Sequence, residues 1–105
     1  MQTSYFAKTK NHQRAVSIAR SSPRWFKGRR YMQLAPPWSL VKMEDEEEYT
    51  KEYRKILDKL DPAMVLEDLG EGAILLCWEK AGEFCHRRLV AEWLEEHLGI
   101  TVNEI

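Results

Sequence analysis

The chain has 105 residues, 44% of them hydrophobic and 31% charged, the balance of a folded globular domain and not of a disordered segment. That length is expected to make one α/β domain spanning residues 1–105 with a modest core. No apolar run approaches the roughly 18 residues of a membrane helix, MQTSYFAKTK lacks the apolar centre of a secretory signal, and two cysteines are too few for a secreted disulfide scaffold. These features predict a cytoplasmic protein with reduced thiols and no membrane partner.

The formal net charge of −1 conceals a split. Residues 1–42 carry nine Lys and Arg and no acid, whereas residues 43–105 carry seven Lys and Arg against seventeen Asp and Glu. Such a division points to an anionic partner on one side of the molecule. The alternative is that the two halves neutralise one another within the fold or in a dimer.

In chain order, Gln2 to Ala7 reads as a short strand, with Thr3, Tyr5 and Phe6 supplying β-propensity. Lys8 to Arg14 is too short for a full crossover helix, so a compressed or single-turn connection leads to a second, buried strand at Ala15–Ala19. Arg20 to Pro37 has no clean period and is punctuated by Pro23, Gly28, Pro36 and Pro37, which predicts a long structured loop. Its aromatic content argues against disorder.

Glu44 to Leu60 reads as a helix with an acidic first turn that complements the macrodipole and an apolar stripe of Tyr49, Tyr53, Ile56, Leu57 and Leu60. Asp61-Pro62 restarts the helix as cap and first residue, with Met64, Val65 and Leu69 facing inward and Gly70 ending it. Ala73 to Trp78 is an unbroken apolar run, the pattern of a strand buried on both faces. A helix opening at Cys85 repeats Leu89, Val90, Trp93, Leu94 and Leu98 at helical spacing, Gly99 stops it, and Ile100–Ile105 closes the chain as a strand. Together these elements predict a small, largely parallel sheet of about four strands with flanking helices.

Ligands of open α/β sheets bind where strands end and the next helices begin. That rule draws attention to Cys85, His86 and Arg87 at the start of the last helix, to Glu79 and Lys80 just past the central strand, and to Arg20 and Ser21 past the second strand. A thiol at a helix N-terminus beside an imidazole is favoured as thiolate. It could act as a nucleophile with His86 or Glu79 as base. The same helix end, with Arg20, Arg87 and Arg88, could instead hold a phosphate or carboxylate. The bland alternative is a packed cysteine, since cysteine is among the most buried residue types. Cys77 reads as core; a redox pair with Cys85 is conceivable, although the spacing is not Cys-x-x-Cys. In the long loop, Arg24, Trp25 and Lys27 interleave cations with aromatics, as in surfaces that bind single-stranded nucleic acid. Alternatively, Trp25 and Phe26 pack on the sheet. No metal site or cofactor is indicated by the His and Cys spacing or by any Gly-rich phosphate motif.

The segment LLCWEKAGEFCHRRLVAEWL resembles the C-terminal signature of the domain-of-unknown-function family 488 (DUF488), in which an apolar strand ends in Leu-Cys-x-Glu and Cys-His-Arg opens the following helix. TSYF, the Arg20-Ser21 pair, PRWFKG, Tyr31 and Leu34-Ala35-Pro36 resemble the family's short branch. The resemblance implies a Rossmann-like α/β domain with motif positions at Arg20, Cys77, Glu79, Cys85, His86 and Arg87. It implies no particular reaction. The functional expectation is therefore binding of an anionic, phosphate-bearing ligand, nucleic acid or nucleotide, with or without chemistry on it. A thiol-dependent enzyme and a protein interaction module are the alternatives.

Overall fold

The computed structural model describes every residue except Asn11 and Ala81. Among the described residues, five strands make one all-parallel sheet: β1 (Gln2–Tyr5), β2 (Ala15–Ser17), β3 (Arg29–Arg30), β4 (Ile74–Cys77) and β5 (Asn103–Glu104), in the order β3-β2-β4-β1-β5. The helices are α1 (Phe6–Thr9), α2 (Trp38–Val41), α3 (Glu46–Leu57), α4 (Pro62–Leu69) and α5 (His86–Leu98).

β4 lies at the centre, between β2 and β1, and its unbroken apolar run is buried at all four positions. Its side chains alternate between the two faces. Leu75 joins Val16 and Ile18 of the second strand and its extension against Tyr53, Leu57, Val65, Val90, Trp93 and Leu94 of the long helices. Ile74 and Leu76 face the other way, onto a smaller cluster with Phe6, Ala15, Ala19 and Phe26. The two layers are unequal: three full helices on one face, a single helical turn and a loop on the other.

Local chemistry accounts for the boundaries. Asp45 caps α3, its carboxylate accepting from the Glu47 and Glu48 amides at 3.0 and 3.2 Å. Asp61 does the same for α4 at the Ala63 amide, with Pro62 in the first helical position. Gly99 ends α5 in the left-handed region at φ 65°.

Several sequence expectations need correction. The parallel sheet is as expected, about four strands resolving to five, but the presumed long loop holds β3 and a 3₁₀ turn at Met32–Leu34. An exposed Arg-Arg pair gives no periodic signal, and backbone pairing with Val16 and Ser17 alone makes it a strand. The first strand stops at Tyr5, short of the expected Ala7, and winds into the single turn α1, which takes the helical of the two connections the spacing allowed. The terminal strand shrinks to two residues, and Met64 is 53% exposed instead of facing inward. Cys77 and Cys85, expected as reduced thiols, are joined in a disulfide. No helix among the described residues is long and apolar enough to cross a membrane.

Candidate functional site at the switch between β2 and β4

From β2 the chain moves outward to β3, and from β4 it moves the opposite way, over β1, to β5. The carboxyl ends of β2 and β4 therefore flank the point where strand order reverses, and the connections leaving in opposite directions open a crevice there. Ile18, Ala19, Arg20 and Ser21 follow β2; Trp78 and Glu79 follow β4; Cys85 and His86 open α5. A cavity of about 100 Å³ lies between them, lined by Arg20, Ser21, Pro36, Trp38, Val41, Tyr49, Cys77, Trp78, Glu79 and His86. A second, of about 310 Å³, shares Val41, Tyr49, Glu79 and His86 and adds Cys85, Phe84, Met43, Glu44 and Glu46.

His86 is the pivot. Its Nε2 lies 2.7 Å from the Ile18 carbonyl and its Nδ1 lies 3.7 Å from Cys85 Sγ. A carbonyl can only accept, so Nε2 carries the proton and Nδ1 turns a lone pair toward the sulfur. Burial, and secondarily the charge of Arg87, lowers its pKa to about 4, while the Ile18 bond opposes that shift. The ring is neutral near pH 7. Tyr53 packs edge-on against it at 5.4 Å, and its own hydroxyl donates to the Leu34 carbonyl at 2.5 Å. Burial raises the Tyr49 hydroxyl pKa well above that of an ordinary phenol, and the charge of Glu79 pushes it the same way.

Arg87 is not free to meet a ligand. It is 1% exposed and pairs with Glu104 through two bonds, Nε to Oε1 at 3.0 Å and Nη2 to Oε2 at 2.6 Å. Its Nη1 donates to Cys77 Sγ at 2.9 Å and to the Glu79 carbonyl at 2.8 Å. Burial alone would raise the Glu104 carboxyl, but the bonds from Arg87 and Thr3 and the charges of Arg87 and Arg88 outweigh it and hold the pKa low. Arg88 likewise serves the fold, donating to Thr3 Oγ1 and the Val102 carbonyl.

The expected site residues thus divide. Arg20, Ser21, Glu79, Cys85 and His86 meet on one rim. Arg20 also braces the loop, Nε and Nη2 donating to the Pro36 and Ala35 carbonyls at 2.9 and 3.2 Å. Arg87, expected to bind a ligand, sits behind this rim, bonded to Glu104, Cys77 and the Glu79 carbonyl. Arg24, Trp25, Lys27 and Lys80 line neither cavity. Trp25 packs edge-on against Phe6, on the thin face of the sheet, and Phe26 is buried beside it. Trp38 and Val41 also line the smaller cavity, unsignalled in the sequence because they lie on a four-residue helix with no periodic pattern. Trp78, read as the last residue of a buried strand, is 52% exposed on the rim, with Nε1 donating to the Ser21 carbonyl.

Cys77, Cys85 and His86 also place two sulfurs and a ring nitrogen within 4.8 Å of one another, all buried. Such a donor set suits a soft metal only when both thiols are reduced. With the sulfurs bonded to each other, the set has no thiolate to offer.

A five-stranded parallel sheet flanked by helices defines a Rossmann-like α/β domain. A family model described as DUF488-N3a, the active DUF488-N3 subclade, matches residues 5–98. The chain belongs to the DUF488 family. Comparison with curated proteins and with solved structures gives no significant match.

Proposed function

We propose that this protein is a thiol-dependent enzyme, with Cys85 as nucleophile, His86 as its proton acceptor, and the crevice between β2 and β4 as the substrate site. The observation that carries this is the tie between His86 Nε2 and the Ile18 carbonyl, which aims Nδ1 at Cys85 Sγ. In the reduced protein the thiol proton passes to Nδ1, and the resulting thiolate lies at the amino end of a 13-residue helix, where negative charge is favoured. A neutral disulfide gives the ring no reason to hold a second proton. An adjacent thiolate does, so the basicity of His86 rises when the sulfurs part.

Cys85 of the reduced protein should react with iodoacetamide along a pH profile whose midpoint lies clearly below the ~8.5 of an ordinary thiol. Replacing His86 with Asn should move that midpoint up. A wild-type midpoint at the ordinary value, or a Cys85 that does not alkylate, overturns the proposal.

A second reading, binding of a nucleotide or other phosphate-bearing ligand in the same crevice, is favoured by Trp38 and Trp78, 54% and 52% exposed on the rim beside Arg20. Exposed indoles offer stacking surface to a nucleobase. The phosphate is less well provided for, because Arg87 and Arg88 are engaged in the fold and Glu44, Glu46 and Glu79 border the adjoining cavity.

A further inference from the structure

We infer that Cys77 and Cys85 are a redox-active pair that exchanges with small neutral or cationic thiols, Cys85 being the sulfur attacked and Cys77 the one that leaves and later resolves. This rests on the proposed reactivity of Cys85 and adds a role for Cys77, for Arg87 and for the acidic rim.

Each sulfur has its own partner. Arg87 Nη1 lies 2.9 Å from Cys77 Sγ, and the two-point bond to Glu104 fixes the guanidinium in that position. A thiolate on Cys77 would be met by a charge-assisted hydrogen bond from a cation that cannot turn away, which makes Cys77 the better leaving group. Cys85 has no such cation in contact; it has the imidazole lone pair of His86 at 3.7 Å. Access points the same way. Cys85 lines the 310 Å³ cavity, whereas Cys77 is 1% exposed and reaches only the smaller one.

The exchange balances without a further oxidant. An external thiolate attacks Cys85 Sγ, the Cys77–Cys85 bond breaks, and Cys77 leaves as thiolate beside Arg87. A second external thiolate attacks the external sulfur of the mixed disulfide and releases Cys85. One protein disulfide and two small thiols become one protein dithiol and one small disulfide, and the two protons of the small thiols end on the protein dithiol or in solvent. Run backward, a small disulfide reoxidises the pair, with Cys77 attacking the mixed disulfide at Cys85.

The entrance selects the co-reactant by charge. Glu44, Glu46 and Glu79 line the cavity that Cys85 faces. An anionic thiol meets like charges there, and a cationic thiol is drawn in.

The test uses the whole chain with 2-aminoethanethiol and 3-mercaptopropionate, reductant rates being compared at equal thiolate concentration. At low salt the cationic thiol should open the disulfide about threefold faster or more, and the preference should fade at high salt. Glu44→Gln with Glu46→Gln should cut most of the preference, Glu79 keeping the remainder, while exchange continues. Cys77→Ser should collect a mixed disulfide at Cys85 from cystamine, and Cys85→Ser should collect far less at Cys77. Intact mass, with and without reductant, follows the native pair independently of the folding of any variant. The inference fails if both cysteines of the untreated protein alkylate under denaturing conditions without reductant and small disulfides do not pair them. It also fails if Cys77 is captured as fast as Cys85, or if the isolated protein carries a stoichiometric metal on the two thiols. In each case rapid alkylation of reduced Cys85 at low pH would leave the nucleophile itself standing.

Discussion

Arg87 and Glu104 hold each other through two parallel bonds at 3.0 and 2.6 Å, joining the first turn of the last helix to the last strand. The arginine is almost wholly buried and the carboxylate only partly so. Removing the cation strands a carboxylate, a thiol-side acceptor and the Glu79 carbonyl together. Breaking a buried pair in this way costs about 3–5 kcal/mol. Arg87→Met should therefore unfold at much lower denaturant, and Glu104→Gln, with its outer edge in water, should lose less. A loss under about 1 kcal/mol for Arg87→Met, measured by urea unfolding, would contradict the structure.

In the disulfide-bonded protein His86 sets a pH dependence. Its folded pKa of about 4 lies below the ordinary 6.5, so the unfolded chain takes up a proton that the folded chain refuses. The associated stability is intact above the unfolded value and drains away as pH falls from 6.5 toward 4. At 1.36 kcal/mol per unit, the total is on the order of 3 kcal/mol. His86→Asn should flatten the wild-type slope between pH 6.5 and pH 5, a range above the carboxylate titrations, whatever it does to absolute stability. An unchanged slope would mean that the ring is solvated.

Tyr53 joins α3 to the wall of the crevice through its bond to the Leu34 carbonyl. Tyr53→Phe keeps the ring and loses one buried donor, leaving a carbonyl unsatisfied. The expected cost is about 1–3 kcal/mol by thermal or chemical unfolding. Amide exchange should quicken around Met32–Ala35 at the same time.

The disulfide closes a short loop, eight positions from end to end. On the chain-entropy account, opening it costs on the order of 2–3 kcal/mol. Reduced protein should melt several degrees lower than oxidised protein, and Cys77→Ser should behave like the reduced form. Equal melting temperatures would indicate that the pair is not joined in solution.

Nucleotide binding, if it occurs in the crevice, should depend on the indoles. Trp38→Ala or Trp78→Ala should weaken it by about 1–3 kcal/mol with little change in unfolding. Oligonucleotide affinity should fall steeply with salt if phosphates contribute. No binding at low salt would remove this reading and leave the thiol chemistry untouched.

The central strand, both long helices and the caps at Asp61, Gly70 and Gly99 could be read from the chain, because burial and capping leave local, periodic marks. The site was legible to the extent that it obeys strand order. Arg20 and His86 share a cavity because each follows or opens an element at the carboxyl edge of the sheet. The pairing of Arg87 leaves no mark in the sequence: a guanidinium in the first turn of a helix looks like a ligand clamp, and Glu104 lies seventeen positions on in a two-residue strand without any pattern. Trp38 and Val41 were invisible for a related reason: their placement depends on how a proline-flanked turn packs, not on any spacing.

The acceptor that orients His86 belongs to the main chain at Ile18, not to a side chain. Exchanging the residue at position 18 leaves that oxygen in place. Point changes there cannot retune the imidazole unless they displace the strand itself. The proton inventory of the crevice is thus written into the course of the backbone, and drift in the surrounding sequence can alter what enters long before it alters which nitrogen faces the sulfur.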